Sequence, residues 1–331
     1  MLLNKYTMLG PLLNDYYFII TAGPTGTGKS SLVDKTLELL INNPYAPRKS
    51  FLIDDLVEQH QVYKDGVDVI IEKVTKECMG DKKCEDIKFD ENVGEFSKLY
   101  FNARDNGHCN NDTKLNCNKL LDARLEEAIN NKEKIIVFET TFGNSIKWIF
   151  DLVPTHYKII LVFSFVNYKE LKERIKKRFK YSLTKYKDDK TNNAPRLIDT
   201  QNKVFIGVIE NIINKLYEFY KDCFRTYKDE KVCGMSQKLN RLLISDNSVS
   251  HRFVYDSGES KNLLPSAEYI EAVVRTIINF PPHSTESKSG GMTKKTSIKI
   301  YKKECLKKSK SSNKKKSKKK SKKKSKKSKP R

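Results

Sequence analysis

The sequence predicts an α/β fold, a mainly parallel sheet with helices on both faces. Three observations carry that reading. Apolar runs of strand length recur at 17–21, 135–138 and 157–163, and continuous apolarity is what a strand covered on both faces shows. Stretches with apolar residues at helical spacing separate these runs, and strands alternating with helices build parallel sheets. The first run also passes directly into Gly23-Pro24-Thr25-Gly26-Thr27-Gly28-Lys29-Ser30-Ser31.

That passage reads Gly-x-x-x-x-Gly-Lys-Ser between a strand and a helix, the P-loop pattern of a nucleoside-triphosphate site. Glycines let successive backbone N–H groups turn inward onto phosphate oxygens at the positive end of the next helix. Residues 23–31 are therefore the expected binding stretch for ATP or GTP. Lys29 would reach the β- and γ-phosphates and the Ser30 hydroxyl would ligate Mg²⁺. The expected architecture is the three-layer sandwich of P-loop NTPases.

Taken in order, residues 1–15 show no periodicity and read as a lead-in. The helix after the loop should run from about Lys29 to Ile41 and stop before Asn43-Pro44, because proline disfavours helical geometry in the residue before it. Ser50 to Asp55 reads as a short strand delivering Asp54 and Asp55 at its C-terminal end, where open parallel sheets place ligands. Residues 56–117 read as a helical insertion. Val67, Ile70, Ile71, Val74 and Cys78 form one stripe, and Val93, Phe96, Leu99 and Tyr100 another, with polar loops at 78–88 and 105–118.

Leu121 to Ile129 marks a helix, and Lys134 to Thr141 a buried strand. A helix over 145–153 and the strand Tyr157 to Ser164 follow. A helix over 168–180 carries Leu171, Ile175 and Phe179 on one stripe, with Arg174 and Arg178 on another. After Pro195-Arg196 a long helix is expected from about Leu197 to Cys223, on the stripe Phe205, Ile209, Ile212, Leu216 and Tyr220. Residues 240–245, the turn Asp246-Asn247-Ser248 and residues 252–256 read as strand, turn, strand. A final helix is expected over 266–278.

The chain has 331 residues and a formal charge of +23. Residues 288–331 hold 22 Lys and Arg against the single acid Glu304, so 22 − 1 = +21 of the charge lies there. The expected division is a domain over 1–283 and a tail over 284–331, too polar and self-repelling to order. The tail suits nucleic-acid binding, nuclear import or mere solubilisation. Seven scattered cysteines with no cleavable leader read as free thiols in a reducing compartment. Spacings Cys78-x5-Cys84 and Cys109-x7-Cys117 are looser than the C-x2–4-C usual in structural zinc sites. No run is long enough for a membrane span. The expectation is a soluble intracellular protein, cytoplasmic or nuclear, without a membrane partner.

GTPases, motor ATPases and kinases all use such a loop. The Asp-x-x-Gly and Asn-Lys-x-Asp of a GTPase are absent, and Asn118 to Asp122 has one residue too many. A motor more typically ends a buried strand in Asp or Asp-Glu, where this chain has Glu139. A kinase needs a carboxylate to orient or deprotonate the acceptor hydroxyl, polar groups to hold the acceptor, and cations on the transferred phosphoryl group. Asp55 or Asp54 fits the first role, Glu139 and Thr141 the second. Arg178, Arg196 and Arg174 fit the third. Each has a plainer reading, as helix cap, turn residue or solvated helix face.

The loop, Leu52-Ile53-Asp54-Asp55 with Glu58-Gln59-His60, the strand end Val137 to Thr141, the Arg-bearing helix, Pro195-Arg196 and the closing strand-turn-strand together resemble the zeta toxin family of P-loop kinases, over about residues 16–256. The resemblance implies phosphorylation of a hydroxyl on a nucleotide sugar such as UDP-N-acetylglucosamine. It implies an Asp base matching Asp55 or Asp54, acceptor contacts matching Glu139 and Thr141, and phosphate-contacting arginines matching Arg178 and Arg196. The adjacent aspartates and the long insertion depart from the family pattern. A tail of this kind after Gly290-Gly291 resembles those on proteins of large DNA viruses. A polynucleotide 5′-hydroxyl kinase and a non-catalytic nucleotide-binding protein stay open as alternatives.

Overall fold

A computed structural model describes residues 15–107, 109, 114–142, 147–200, 203–221, 239–248, 251–258 and 265–279. The lead-in and the 284–331 tail lie outside these residues. Strand β1 (Tyr16–Ala22) leads into helix α1 (Lys29–Ile41), which ends on Asn42 in left-handed geometry, just before Asn43-Pro44. Strand β2 (Lys49–Phe51) precedes four helices: α2 (Ile53–Gln59), α3 (Gln61–Cys78), α4 (Lys82–Glu91) and α5 (Val93–Asn106). Then come α6 (Cys117–Asn130), β3 (Ile135–Thr140), α7 (Lys147–Leu152), β4 (Tyr157–Phe165) and α8 (Tyr168–Asp188). Helix α9 (Lys203–Phe219), β5 (Leu239–Asp246), β6 (Arg252–Asp256) and α10 (Ala267–Ile278) are the last of the described elements.

The sheet order is β2-β3-β1-β4-β5-β6, parallel throughout except for antiparallel β6. β1 therefore sits between β3 and β4, with Thr21 paired to Glu139 and Ala22 to Phe163. Alternate residues face opposite layers. Tyr17, Ile19, Val137 and Val162 pack on Leu32, Val33 and Leu37 of α1. Phe18, Ile20, Phe138, Leu161 and Ile244 pack on the other side with Leu125, Ile209, Ile212 and Val274 from α6, α9 and α10. This is the expected α/β three-layer arrangement.

A separate cluster fills the helices after β2. Tyr63, Val67, Ile70 and Val74 of α3 meet Phe89, Phe96 and Tyr100, and all lie against Phe179, Leu183 and Tyr186 of α8. Leu171 and Ile175 of α8 belong to the sheet core instead. One helix thus ties both cores together. Its apolar stripe continues past Lys180, which is why it ends at Asp188 rather than where the sequence reading stopped it.

Four further expectations are corrected. Asp54 and Asp55 do not end a strand. Leu52 is extended (φ −124°) and the helix begins at Ile53, so both acids sit in its first turn, where the helix dipole favours them. The loop expected over 78–88 is largely α4, started by Asp81, whose carboxylate accepts from the Lys83 N–H at 2.8 Å. The long helix expected from Leu197 starts at Lys203. Residues 193–199 are irregular because Ala194 N–H donates to the Glu58 carbonyl (2.9 Å), the Tyr63 hydroxyl donates to the Pro195 carbonyl (3.1 Å), and Leu197 is buried in the α3–α5 cluster. Finally, Cys78 is bonded to Cys84 and Cys109 to Cys117, so these four are not free thiols and are not metal ligands. The pairs close the turn between α3 and α4 and the segment between α5 and α6. Among the described residues no helix is long and apolar enough to cross a membrane.

Candidate functional site

Gly23, Gly26 and Gly28 have φ of 140°, 88° and 80°, a region that side-chain-bearing residues rarely enter. At Gly23 a Cβ would also collide with the Ser164 carbonyl oxygen at the end of β4, and at Gly26 it would lie 2.8 Å from Ile175 Cγ1. The loop is braced from behind. Its Thr27 carbonyl accepts from Ser164 Oγ (2.9 Å) and from Asn247 Nδ2 (2.7 Å), and Ser245 Oγ donates to Asn247 Oδ1 (2.6 Å). Thr27 Oγ1 donates to the Pro24 carbonyl at 2.9 Å. The ends of β4 and β5 therefore set the loop's shape.

Lys29 is buried and its Nζ donates to the Gly23 and Pro24 carbonyls, each at 3.0 Å. It also pairs with Glu139 Oε1 at 3.4 Å, while Ser30 Oγ donates to Glu139 Oε2 at 3.3 Å. One carboxylate at the end of β3 thus bridges the two residues expected to meet phosphate and metal. A hydroxyl and a carboxylate are hard oxygen donors of the kind Mg²⁺ takes. No group of three or more His, Cys, Asp or Glu side chains suited to a metal occurs among the described residues. Mg²⁺ usually keeps waters and substrate phosphates as its remaining ligands. Thr141 lies exposed just beyond the strand end.

Asp54 is largely buried. Its Oδ1 accepts from the Tyr100 hydroxyl at 2.5 Å and pairs with Arg196 Nη1, and the Arg196 guanidinium stacks 3.7 Å from the Tyr100 ring centre. Burial alone would raise the Asp54 carboxyl; Arg196, the Tyr100 hydrogen bond and Lys29 more than offset it and hold the group below the usual carboxylate range. Asp55 is exposed. Partial desolvation and the Asp54 charge push it up, and Asn193 Nδ2 donates to it at 3.4 Å. One turn on, Glu58 is 7% exposed and pairs with Arg178 at 3.4 Å; burial pushes its carboxyl up to about 7.

The arginines separate. Arg174 is held by Glu170 (2.6 and 2.9 Å) and the Asn247 carbonyl (2.7 Å), and its Nη1 lies 3.8 Å from where a Gly28 Cβ would stand. Arg178 points to the α2 acids instead. Of the residues singled out in the sequence, Lys29, Ser30 and Glu139 converge directly, Asp54 and Arg196 form a second pair whose carboxylate feels the Lys29 charge, and Arg174 rather than Arg178 rests on the loop.

Tyr100, Asn247 and Ser164 were not anticipated at the site. Tyr100 fell on an apolar helical stripe, and its hydroxyl was the available hint. Asn247 stood in an expected turn, and Ser164 ended an apolar strand.

A sheet of this order with a left-handed glycine loop at the end of an inner parallel strand, closed by a buried Lys and a Ser, is the P-loop NTPase α/β fold. No protein-family profile and no curated protein matches the chain. Among solved structures, a protein of the PezAT chromosomal toxin–antitoxin system of Streptococcus pneumoniae is 11% identical, covering 89% of this chain and 86% of its own, with a TM-score of 0.45. A Chloroflexus aurantiacus protein provisionally described as a kinase is 12% identical, covering 80% of this chain and 98% of its own, with a TM-score of 0.29.

Proposed function

We propose that this chain is a Mg²⁺-dependent phosphotransferase that moves the γ-phosphoryl group of ATP or GTP to a hydroxyl of a small molecule, with a nucleotide sugar such as UDP-N-acetylglucosamine as the favoured acceptor. The observation that carries it is the pairing of two features at one end of the sheet. A loop closed by Lys29 and Ser30 lies within electrostatic reach of a carboxylate, Asp54, whose Oδ1 is held by a cation and a phenol.

In this reading the loop N–H groups and Lys29 hold the phosphates, and Ser30 with Glu139 holds the metal. Mg²⁺, when bound, neutralises charge on the phosphate oxygens. Asp54 keeps Oδ2 for the acceptor hydroxyl. A carboxylate of low basicity suffices because proton transfer is late when the phosphoryl transition state is loose, so its task is chiefly orientation. Asp54 is thus preferred to exposed Asp55 as the orienting base. Arg174 stabilises phosphate from the α8 side, and Thr141 stands toward the acceptor.

The 22 Lys and Arg of residues 288–331 favour a second acceptor class, a polynucleotide 5′-hydroxyl, with the tail holding the strand. Incubation with labelled ATP or GTP and panels of nucleotide sugars and 5′-hydroxyl oligonucleotides separates the two. A nucleotide-sugar kinase labels its acceptor equally well after removal of 284–331. Activity on DNA or RNA ends falls sharply on truncation and loses its salt dependence. No labelled acceptor in either panel removes both.

A further inference from the structure

Helix α2 presents two carboxylates four residues apart to two arginines, and the two pairs differ in kind. Asp54 and Arg196 are both largely buried, and the pair is locked by Tyr100. Glu58 and Arg178 are mismatched: the carboxylate is 7% exposed and the guanidinium 50% exposed. They touch through a single long contact, Arg178 Nη2 to Glu58 Oε1 at 3.4 Å, with no bidentate fork and no ring beneath. Among the described residues Arg178 meets no other hydrogen-bond acceptor. Half of its side chain is open to solvent, yet its charge is felt by both Asp54 and Asp55.

We propose that Glu58 is a positioning residue for Arg178: it parks the guanidinium beside the acceptor carboxylate in the empty protein, and surrenders it to a phosphate oxygen when the triphosphate binds, taking up a proton as it does so. This rests on the phosphotransferase reading for the identity of the ligand. The exchange balances. One proton passes from solvent to a Glu58 carboxylate oxygen, the guanidinium keeps its charge and trades a carboxylate partner for a phosphate one, and no bond to phosphorus changes.

The surroundings favour the exchange. Glu58 faces Arg178 of α8, Arg196 of the 193–199 segment, Asp54 and Asp55 of its own helix and Tyr63 of α3. Removing Arg178 takes away its nearest cation and leaves two carboxylates close by. With Glu58 already titrating near 7, that loss moves it to the neutral form at ordinary pH. Arg196 cannot replace Arg178, being committed to Asp54.

The test is calorimetric titration of the full-length protein with Mg²⁺ and a non-hydrolysable β,γ-imido analogue of ATP, at a pH just above 7, in buffers of differing ionisation enthalpy. Wild type is expected to take up about half a proton more than Glu58→Gln. Equal uptake by the two proteins overturns the proposal. If the variant does not fold, the ¹³C carboxyl shift of Glu58 in the wild-type chain serves: its titration midpoint should rise on adding the analogue, and an unmoved midpoint overturns the proposal. Binding with equal proton uptake removes this latch alone; no binding removes the triphosphate reading with it.

Discussion

Lys29, the first residue of α1, and Glu139, near the end of β3, pair at 3.4 Å, and the same carboxylate accepts a hydrogen bond from Ser30. A triphosphate must displace that carboxylate from the lysine, and a metal would draw it toward the serine. Glu139→Gln should therefore leave metal-free nucleotide binding intact or tighter, because a negative charge facing the phosphates is gone. Mg²⁺-dependent transfer should fall by about 10²-fold or more. Nucleotide titrations with and without Mg²⁺, alongside turnover, check this; unchanged turnover contradicts the metal role.

Gly23→Ala should be among the costliest single changes in the loop. It combines a φ of 140° with a Cβ placed onto the Ser164 carbonyl, and backbone cannot step aside as a side-chain tip can. A loss of about 2–4 kcal/mol is expected from denaturant unfolding, together with lost nucleotide binding. Gly66→Ala offers a contrast, since only the flexible Leu99 side chain stands in its way.

Asp54→Asn and Asp55→Asn should differ. The first leaves the largely buried Arg196 facing a neutral amide, at a cost of about 3–5 kcal/mol, and removes the orienting carboxylate. The second changes an exposed side chain and should leave stability within about 0.5 kcal/mol. The pH dependence has a definite sign. Because the folded Asp54 carboxyl is held below its ordinary 3.8, its stabilising contribution is present above that pH and is lost as pH falls through the lower folded value. Asp54→Asn should flatten the acid limb of the unfolding curve, and Asp55→Asn should not.

Glu58 works in the opposite direction. Its folded carboxyl titrates at about 7 against an ordinary 4.5, so the folded state binds that proton more tightly. Its contribution is complete below 4.5 and is lost as pH rises through 7, on the order of 3 kcal/mol. Glu58→Gln resembles the protonated form. Denaturant unfolding should find it close to wild type at pH 5 and more stable than wild type at pH 8. Equal stabilities at both pH values contradict the assignment.

What could be read in the sequence was what lies close together along it. β1, the glycine loop and α1 are contiguous, and their apolar runs and left-handed glycines leave one reading. Helices α3, α5 and α8 showed their buried stripes at the right positions. The Tyr100–Asp54–Arg196 group was different, because its members come from α5, α2 and the irregular 193–199 segment, and only folding joins them. Ser50 to Ile53 is locally strand-like, which puts the aspartates on a strand in the sequence; the turn into α2 at Leu52 carries no Gly or Pro to announce it. The apolar stripe does not disclose where α9 starts, because Ala194 and Pro195 are hydrogen-bonded to Glu58 and Tyr63 far away in the sequence. The scattered cysteines read as free thiols, and spacing along the chain does not reveal the pairing of Cys78 with Cys84 and of Cys109 with Cys117.

The most direct test is a single-turnover comparison of wild type and Lys29→Ala, following γ-labelled ATP in the presence of the acceptor that the panels identify. Lys29 should be required for transfer, so labelling is predicted to fall by about 10²-fold or more in the variant while the protein stays folded. Equal labelling by the two proteins, or no labelling of any acceptor by wild type, would contradict the account.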